Sequence, residues 1–509
     1  MVTTIRSCAF VGIDAFTVEV EVDVRDGGLP SIVIVGLPDA AVKESRDRIQ
    51  SAILNVGYKF PRDKVIVINL APGDSRKEGP GFDLPIALGL LMDAGIVELQ
   101  GVERYYIYGE LALDGDIRPV KGALSAAIHA RAAEAKGIIL PAANGPEAAV
   151  VEGLDIIPVR TLAEVVGFLA GRLPIPPLKA DYDSFKQHIL QPEVDFAEVR
   201  GQEHVKRALT VAAAGGHNVL MVGPPGAGKT MLARRLPTVL PLLTLEESIE
   251  TTRTFSVAGV LEKSGLITTR PFRAPHHTIS DVGLIGGGTN PRPGEVSLAN
   301  NGVLFLDELP EFNRKTLEVL RQPLEDGHVT ISRAVRSVKF PARFTLVAAM
   351  NPCPCGYYSD PRRECHCSPV NIQRYLGKIS GPLLDRIDIQ VEVGPVDYQA
   401  LAGREAGLSS AAIRIEVEKA RAIQSARFKH AGSTNARMRE RDLKRCCVLG
   451  PEAEGLLRDI VDRMGFSARG YAKVLKVART IADLDSAEDI RLEHLTEAVQ
   501  YRTLDRLMR

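Results

Sequence analysis

The chain has 509 residues, too many for one ordinary hydrophobic core, and at about 150 residues per domain it predicts roughly three units. Its 63 Lys and Arg balance 63 Asp and Glu, so bulk charge does not draw it onto nucleic acid, and any such contact must be local. With 45% hydrophobic and 25% charged residues, no run near the ~18 apolar residues of a membrane helix, and no charged-then-apolar leader in MVTTIRSCAF, it reads as a cytoplasmic globular protein without membrane contact.

Residues 1–172 alternate β-rich runs (TVEVEVDV, SIVIVGL, VIVINL) with helical patterns at about Ala40–Val56, from Leu84, and in ALSAAIHARAAEAKG before the strand IIL. That alternation predicts an α/β or α+β domain. The prolines and polar residues of RLPIPPLKADYDS begin a stiff linker over 173–194. Residues 195–395 predict a second α/β unit, because NVLMVG, GVLFLDE and FTLVAAMN are continuous apolar runs that end in polar residues. Strands of that kind are covered on both faces of a parallel sheet, and ligands collect at their carboxyl ends. Residues 396–509, rich in Ala, Arg, Glu and Leu, predict a helical domain.

GPPGAGKT, Gly223, Pro224, Pro225, Gly226, Ala227, Gly228, Lys229 and Thr230, lies between a strand and the helical run TMLARRL. In that context G-x-x-x-x-G-K-[ST] predicts a phosphate cradle for ATP. Backbone N–H groups wrap the phosphate oxygens, Lys229 reaches the β- and γ-phosphates, and the Thr230 hydroxyl ligates Mg²⁺. At the end of GVLFLDE, Asp307 is expected to hold Mg²⁺ through its water shell and Glu308 to act as general base on the attacking water. The plainer alternative is an acidic pair that only caps its strand. Asn351, ending FTLVAAMN, suits the orientation of that water. Arg386 in GPLLDRID is the candidate arginine finger toward a neighbouring subunit, against an alternative in which it pairs with Asp385 or Asp388. Arg469 in SARGY lies in the helical domain and could reach the same nucleotide, but spacing alone does not single it out.

Four of the seven cysteines, Cys353, Cys355, Cys365 and Cys367, fall in CPCGYYSDPRRECHC. Four thiolates can fill a tetrahedral Zn²⁺ shell and staple a loop that has no core of its own. The C-x-C gaps depart from the usual two-to-four-residue spacing, His366 could replace one thiolate, and reduced unmetallated thiols are the alternative. Cys8, Cys446 and Cys447 read as packing residues. His276 and His277 suggest loop hydrogen bonding rather than a metal.

The order P-loop, FRAPHHTIS, GVLFLDE, RQPLEDGHVTISR, AAMNPCPCG, GPLLDRID and SARGY resembles the YifB/ComM family of magnesium-chelatase-like AAA+ ATPases over essentially the whole chain. The resemblance implies an AAA+ core with a helical lid, preceded by a Lon-protease-like domain. It also implies assembly into a six-membered ring and helicase activity that drives branch migration of DNA. By matching motif it gives Lys229, Thr230, Asp307, Glu308, Asn351, Arg386 and Arg469 the roles above, and it implies two pore-facing insertions, around RPFRAPHHTIS and GHVTISRAVRSVKFPARF. The second has support of its own: VTIS and VRSVKF are β-prone and bracket a basic tip with Arg333 and Arg336, Lys339 lying on the return strand, the local stripe a charge-neutral protein needs to meet phosphates. A solvated hairpin face is the alternative.

KEGPGFDLPIAL and GDIRPVKGALSAAIHARAAEAKG look like the segments that carry serine and lysine in Lon-type peptidases, yet those positions fall at Gly81 or Phe82 and near Leu124. Without a hydroxyl within reach of a base there is no nucleophile, so peptidase activity is expected to be absent. A chelatase-type motor subunit is the competing function.

Overall fold

The computed structural model describes residues 2–180, 194–261, 265–288, 291–332, 337–358, 360–396, 407–429, 432–464 and 466–504. The chain divides into two compact units, Met1–Gln187 with Leu245–Ile267, and His188–Thr244 with Thr268–Arg509.

The first unit is built on a mixed seven-stranded sheet. Its strands are β1 (Thr3–Val11), β2 (Asp14–Arg25), β3 (Ser31–Val35), β4 (Val65–Ala71), β5 (Tyr105–Ile107), β6 (Gly137–Pro141) and β7 (Asp155–Val159), in the order β3-β4-β2-β1-β5-β6-β7. Helices α1 (Ala40–Asn55), α2 (Asp83–Asp93), α3 (Ala123–Ala132) and α4 (Leu162–Leu169) complete it. Alternation sets the strand faces: Val18, Val20 and Val22 of β2 are fully buried, and the glutamates between them are not. The Ala-rich helix stops at Ala132, earlier than its composition suggests, where Glu134 turns into the left-handed region.

The Leu245–Ala258 helix also belongs to this unit. Its buried face is made of hydroxyls, Ser248, Thr251, Thr252, Thr254 and Ser256. They are satisfied locally, as in Thr252 Oγ1 to Ser248 O at 2.7 Å, or across the packing, where the Gly122 N–H donates to Ser256 Oγ at 3.0 Å. Arg253 donates to Asp14 Oδ1 at 2.6 Å and to Ile13 O at 3.0 Å.

In the second unit α5 (Glu203–Gly215), β8 (Val219–Val222) and α6 (Lys229–Val239) precede β9 (Phe272–Arg273) and β10 (Val303–Leu306). After a hairpin of β11 (His328–Ser332) and β12 (Ser337–Pro341) come β13 (Thr345–Met350) and β14 (Ile389–Glu392). Strands β9-β10-β13-β8-β14 form a five-stranded sheet, parallel at every pairing, as the three continuous apolar runs predict. Two of its members escape that pattern: β9 has two residues, and β14 reads IQVE with Gln390 buried at 1% exposure.

Helices α7 (Ser410–Phe428), α8 (Pro451–Met464), α9 (Ala468–Leu484) and α10 (Leu492–Gln500) close the unit and share its core, Val474, Val477, Ala478 and Leu495 joining Val219, Val347 and Ile389 in one apolar cluster. The junction is also polar. Asp388 is buried and accepts from Lys473 Nζ at 3.0 Å and from His217 Nδ1 at 3.3 Å, while His217 Nε2 meets Thr480 Oγ1 at 2.8 Å. Burial alone would raise the Asp388 carboxyl, but Lys473 and His217 hold it well below the usual carboxylate range.

Candidate functional site

The loop Gly223–Gly228 leaves β8 at its carboxyl end and delivers Lys229 to the first turn of α6. Gly228 caps that helix at φ 86°, a left-handed conformation that glycine adopts without steric cost. Lys229 is buried, and its ammonium donates to Gly223 O at 2.7 Å, Pro224 O at 2.9 Å and Asn351 Oδ1 at 3.1 Å. Burial lowers its pKa, while Asp307 and Glu308 oppose that shift. An incoming anion can therefore exchange with three neutral acceptors for a charge that is already desolvated.

Asp307 and Glu308 follow β10, and Thr230 Oγ1 donates to Asp307 Oδ2 at 2.7 Å. The hydroxyl and carboxylate assigned to Mg²⁺ thus face each other. Glu308 sits at φ 53°, a left-handed conformation costing on the order of 1–3 kcal/mol in a non-glycine residue. Its side chain stays exposed, and His277 Nδ1 lies 3.4 Å from Glu308 Oε2. The His277 ring lies over His276 with centroids 4.1 Å apart, and His276 meets Thr278 Oγ1 at 2.9 Å. Loop hydrogen bonding is what His276 shows; the reach of His277 to Glu308 has no signal in the sequence.

Asn351 follows β13 beside the loop from β8, so Lys229, Thr230, Asp307, Glu308 and Asn351 converge at the carboxyl ends of three adjacent parallel strands. A residue outside the recognised motifs supports the loop from behind. Gln202 Nε2 donates to Ala227 O at 2.9 Å and to Gly394 O at 2.8 Å, tying the loop to the chain after β14. The only cue is the GQE at the start of α5.

Arg386 does not pair as the surface alternative had it. Asp388 points inward, and the Arg386 guanidinium forms an ion pair with Glu325 and donates to Pro382 O at 2.6 Å and Arg321 O at 3.3 Å. Desolvation lowers its pKa, opposed by Glu325 and assisted by the positive charges of Arg321 and Arg469. Arg469, in the first turn of α9, is exposed. Among the described residues neither arginine forms a hydrogen bond or ion pair with Lys229 or Asp307.

The four cysteines come together. The Cys353 and Cys355 sulfurs are 3.3 Å apart, Cys353 and Cys365 3.7 Å, Cys355 and Cys365 3.6 Å, and all four, Cys367 included, lie within 4.8 Å of one another. A tetrahedral site with metal–sulfur bonds near 2.3 Å requires sulfur–sulfur separations of about 3.8 Å. Three of the sulfurs are at 3.3 to 3.7 Å and the fourth is within 4.8 Å, separations close to that geometry. The Tyr357 N–H holds the Cys355 thiol down to about 6, while desolvation and the neighbouring Cys355 and Cys353 sulfurs push Cys365 up to about 12 and raise Cys367. His366 is exposed and stands outside the four-sulfur group, so it replaces none of the thiolates.

In the β11–β12 hairpin Val329, Ile331, Val338 and Phe340 face inward, and Lys339, opposite Thr330, is exposed. Arg333 and Arg336 lie outside the described residues.

Residues 195–401 match the family described as magnesium chelatase, subunit ChlI; residues 20–144 match subunit ChlI of Mg-chelatase; and residues 407–502 match its C-terminal region. The chain is 43% identical over 506 residues to the competence protein ComM of Haemophilus influenzae, covering 99% of this chain and 98% of that one. It is likewise 43% identical over 507 residues to YifB of Salmonella typhimurium, covering 99% and 97%. The magnesium-chelatase 38 kDa subunit of Cereibacter sphaeroides is 25% identical over 343 residues, 62% of this chain and 92% of that one. From its first strand to its last helix, the chain belongs to the ComM/YifB family of magnesium-chelatase-like AAA+ proteins.

Proposed function

We propose that the protein is an ATP-driven DNA-remodelling motor that acts on branched DNA as a ring of subunits. The observation that carries the ATPase half is the convergence of Lys229, Thr230, Asp307, Glu308 and Asn351 at one sheet edge. The loop N–H groups and Lys229 bind the phosphates, and Thr230 with Asp307 holds Mg²⁺, which neutralises the charge on them. Glu308 takes a proton from a water that Asn351 orients, and Arg386 and Arg469 supply positive charge from a neighbouring subunit and from the helical lid.

The DNA half is supported by the full-length relation to a competence protein and by a hairpin on which Lys339 is exposed, with Arg333 and Arg336 in the sequence that joins its two strands. Phosphate contacts of this kind release counterions, so affinity falls steeply with salt. Replacing Arg333, Arg336 and Lys339 by Gln should lower DNA affinity at all sequences and flatten the slope of log K against log salt by about 0.9 for each duplex phosphate that these side chains neutralise. ATP binding should not change. An unaltered slope in a salt titration by fluorescence anisotropy would remove these residues as contacts.

The first unit is proposed to be a Lon-like domain without peptidase chemistry. At Gly81 a side chain is excluded outright, since a Cβ there would come within 2.1 Å of the Tyr108 ring, whose hydroxyl donates to Lys121 O at 3.3 Å. Leu124 is fully buried in the apolar cluster behind it. The cysteine cluster is proposed to hold Zn²⁺ as a closed structural site, and no helix of the described residues is long and apolar enough to cross a membrane.

The competing reading, a motor subunit that serves a metal-insertion enzyme, is favoured by the family match and by the more distant relation to a magnesium-chelatase subunit. The deciding measurement is ATPase rate with a four-way DNA junction, linear duplex or no DNA. Stimulation that is strongest with the junction is expected; turnover indifferent to all three would overturn the DNA reading.

A further inference from the structure

The cysteine cluster and the phosphate loop are neighbours both in sequence and in space. Asn351, which accepts from Lys229, is followed after Pro352 by Cys353, fully buried in the four-sulfur group. Gly356 then turns at φ 87°, with its N–H on Cys353 O at 3.0 Å. A Cβ at Gly356 would fall 2.6 Å from Pro225 Cδ and 3.9 Å from Asn351 Cγ, so this backbone lies directly against the middle of GPPGAGKT. The Tyr358 N–H closes the turn on the Cys353 sulfur at 3.3 Å.

We infer that the four-cysteine metal centre is a positioning element of the ATP site: by fixing the Cys353–Tyr358 turn it holds Pro225 and Asn351 where the phosphate loop and Lys229 need them. The inference rests on the readings of the cluster as a zinc site and of Gly223–Thr230 as the nucleotide loop. An irregular loop has no apolar core to rigidify it, and a closed tetrahedral site supplies that rigidity through bonds rather than burial. Because coupling between two binding sites is reciprocal, nucleotide must stabilise the metal by the same factor that metal improves nucleotide binding.

The test uses the full chain loaded with Zn²⁺. A chromogenic chelator follows zinc release with and without a non-hydrolysable ATP analogue and Mg²⁺, and fluorescence of a labelled analogue gives its affinity before and after metal removal. The analogue is expected to slow release, and metal removal to weaken the analogue by roughly 5- to 150-fold, the usual span of such coupling. Gly356→Ala strains the left-handed turn and drives a methyl into Pro225, so it should weaken the analogue and raise KM for ATP more than it lowers kcat; zinc content of the same variant tells a displaced Pro225, with one zinc per chain, from a lost cluster, for which the release experiment on the unaltered chain decides. Zinc bound and analogue bound with neither affecting the other overturns the inference and leaves both underlying readings intact. A purified chain without zinc overturns it together with the metal reading, and a zinc-loaded chain that does not bind the analogue overturns it together with the nucleotide reading. Should Gly356→Ala fail to fold, the release experiment on the unaltered chain decides alone.

Discussion

Glu308→Gln should lower the ATPase rate by about 10²- to 10⁴-fold while leaving ATP binding within about twofold of the unaltered protein. Glutamine keeps the size and the hydrogen-bonding oxygen, so the left-handed turn at this position and its approach to His277 survive. What it lacks is a basic oxygen that can take the water's proton. Lys229 and Thr230 form no hydrogen bond or ion pair with Glu308 among the described residues, which is why binding should persist. Lys229→Ala should behave oppositely, losing binding and turnover together, since it removes the buried cation aimed at the phosphate position. Steady-state turnover read beside equilibrium binding of a labelled nucleotide separates the two. Glu308→Gln that hydrolyses at the unaltered rate would show that another group accepts the proton.

That the same five residues could be picked out of the sequence and then met at one sheet edge has a physical reason. Phosphate chemistry demands glycines, a lysine and a hydroxyl at fixed spacing, and parallel strands buried on both faces announce themselves as unbroken apolar runs. Where burial is achieved by polar groups the signal disappears. The Leu245–Ala258 helix buries serines and threonines whose hydroxyls are satisfied by backbone carbonyls, so a reading that equates core with hydrophobicity leaves it among its sequence neighbours, while its contacts lie in the first unit. β14 carries a buried glutamine. The Asp388–His217–Lys473 cluster joins residues 171 and 85 positions apart, and each looks like an ordinary surface charge until the sheet and α9 bring them together. The cysteines lie between these extremes. Their spacing departs from the common zinc pattern, yet the turn at Gly356 folds the intervening residues so that four sulfurs meet at metal-binding distances.

Arg386→Ala should cost about 10³- to 10⁵-fold in ATP turnover with nucleotide binding retained, the magnitude associated with an arginine that stabilises charge on a transferring phosphoryl group. The Arg386 guanidinium is engaged by Glu325 and two backbone carbonyls, and it forms no hydrogen bond or ion pair with its own chain's Lys229 or Asp307 among the described residues. A purely structural arginine in that setting, its side chain largely buried against a half-exposed Glu325, would contribute to stability, and its loss would scarcely alter turnover per folded molecule. A finger acting on the next subunit gives a different pattern, because the damaged chain harms its neighbour's site and not its own. Chains with Arg386→Ala mixed with chains carrying Glu308→Gln should therefore recover activity at those interfaces where an intact Glu308 meets an intact Arg386. Glu325→Gln should leave turnover unchanged or raised, since it frees the guanidinium without removing it. Lysine at position 386 should rescue poorly, as an ammonium lacks the planar fork that grips two oxygens at once. Mixtures no more active than the sum of their parts, with Arg386→Ala alone turning over normally, would make the arginine a structural residue and remove the requirement that one subunit complete the site of the next.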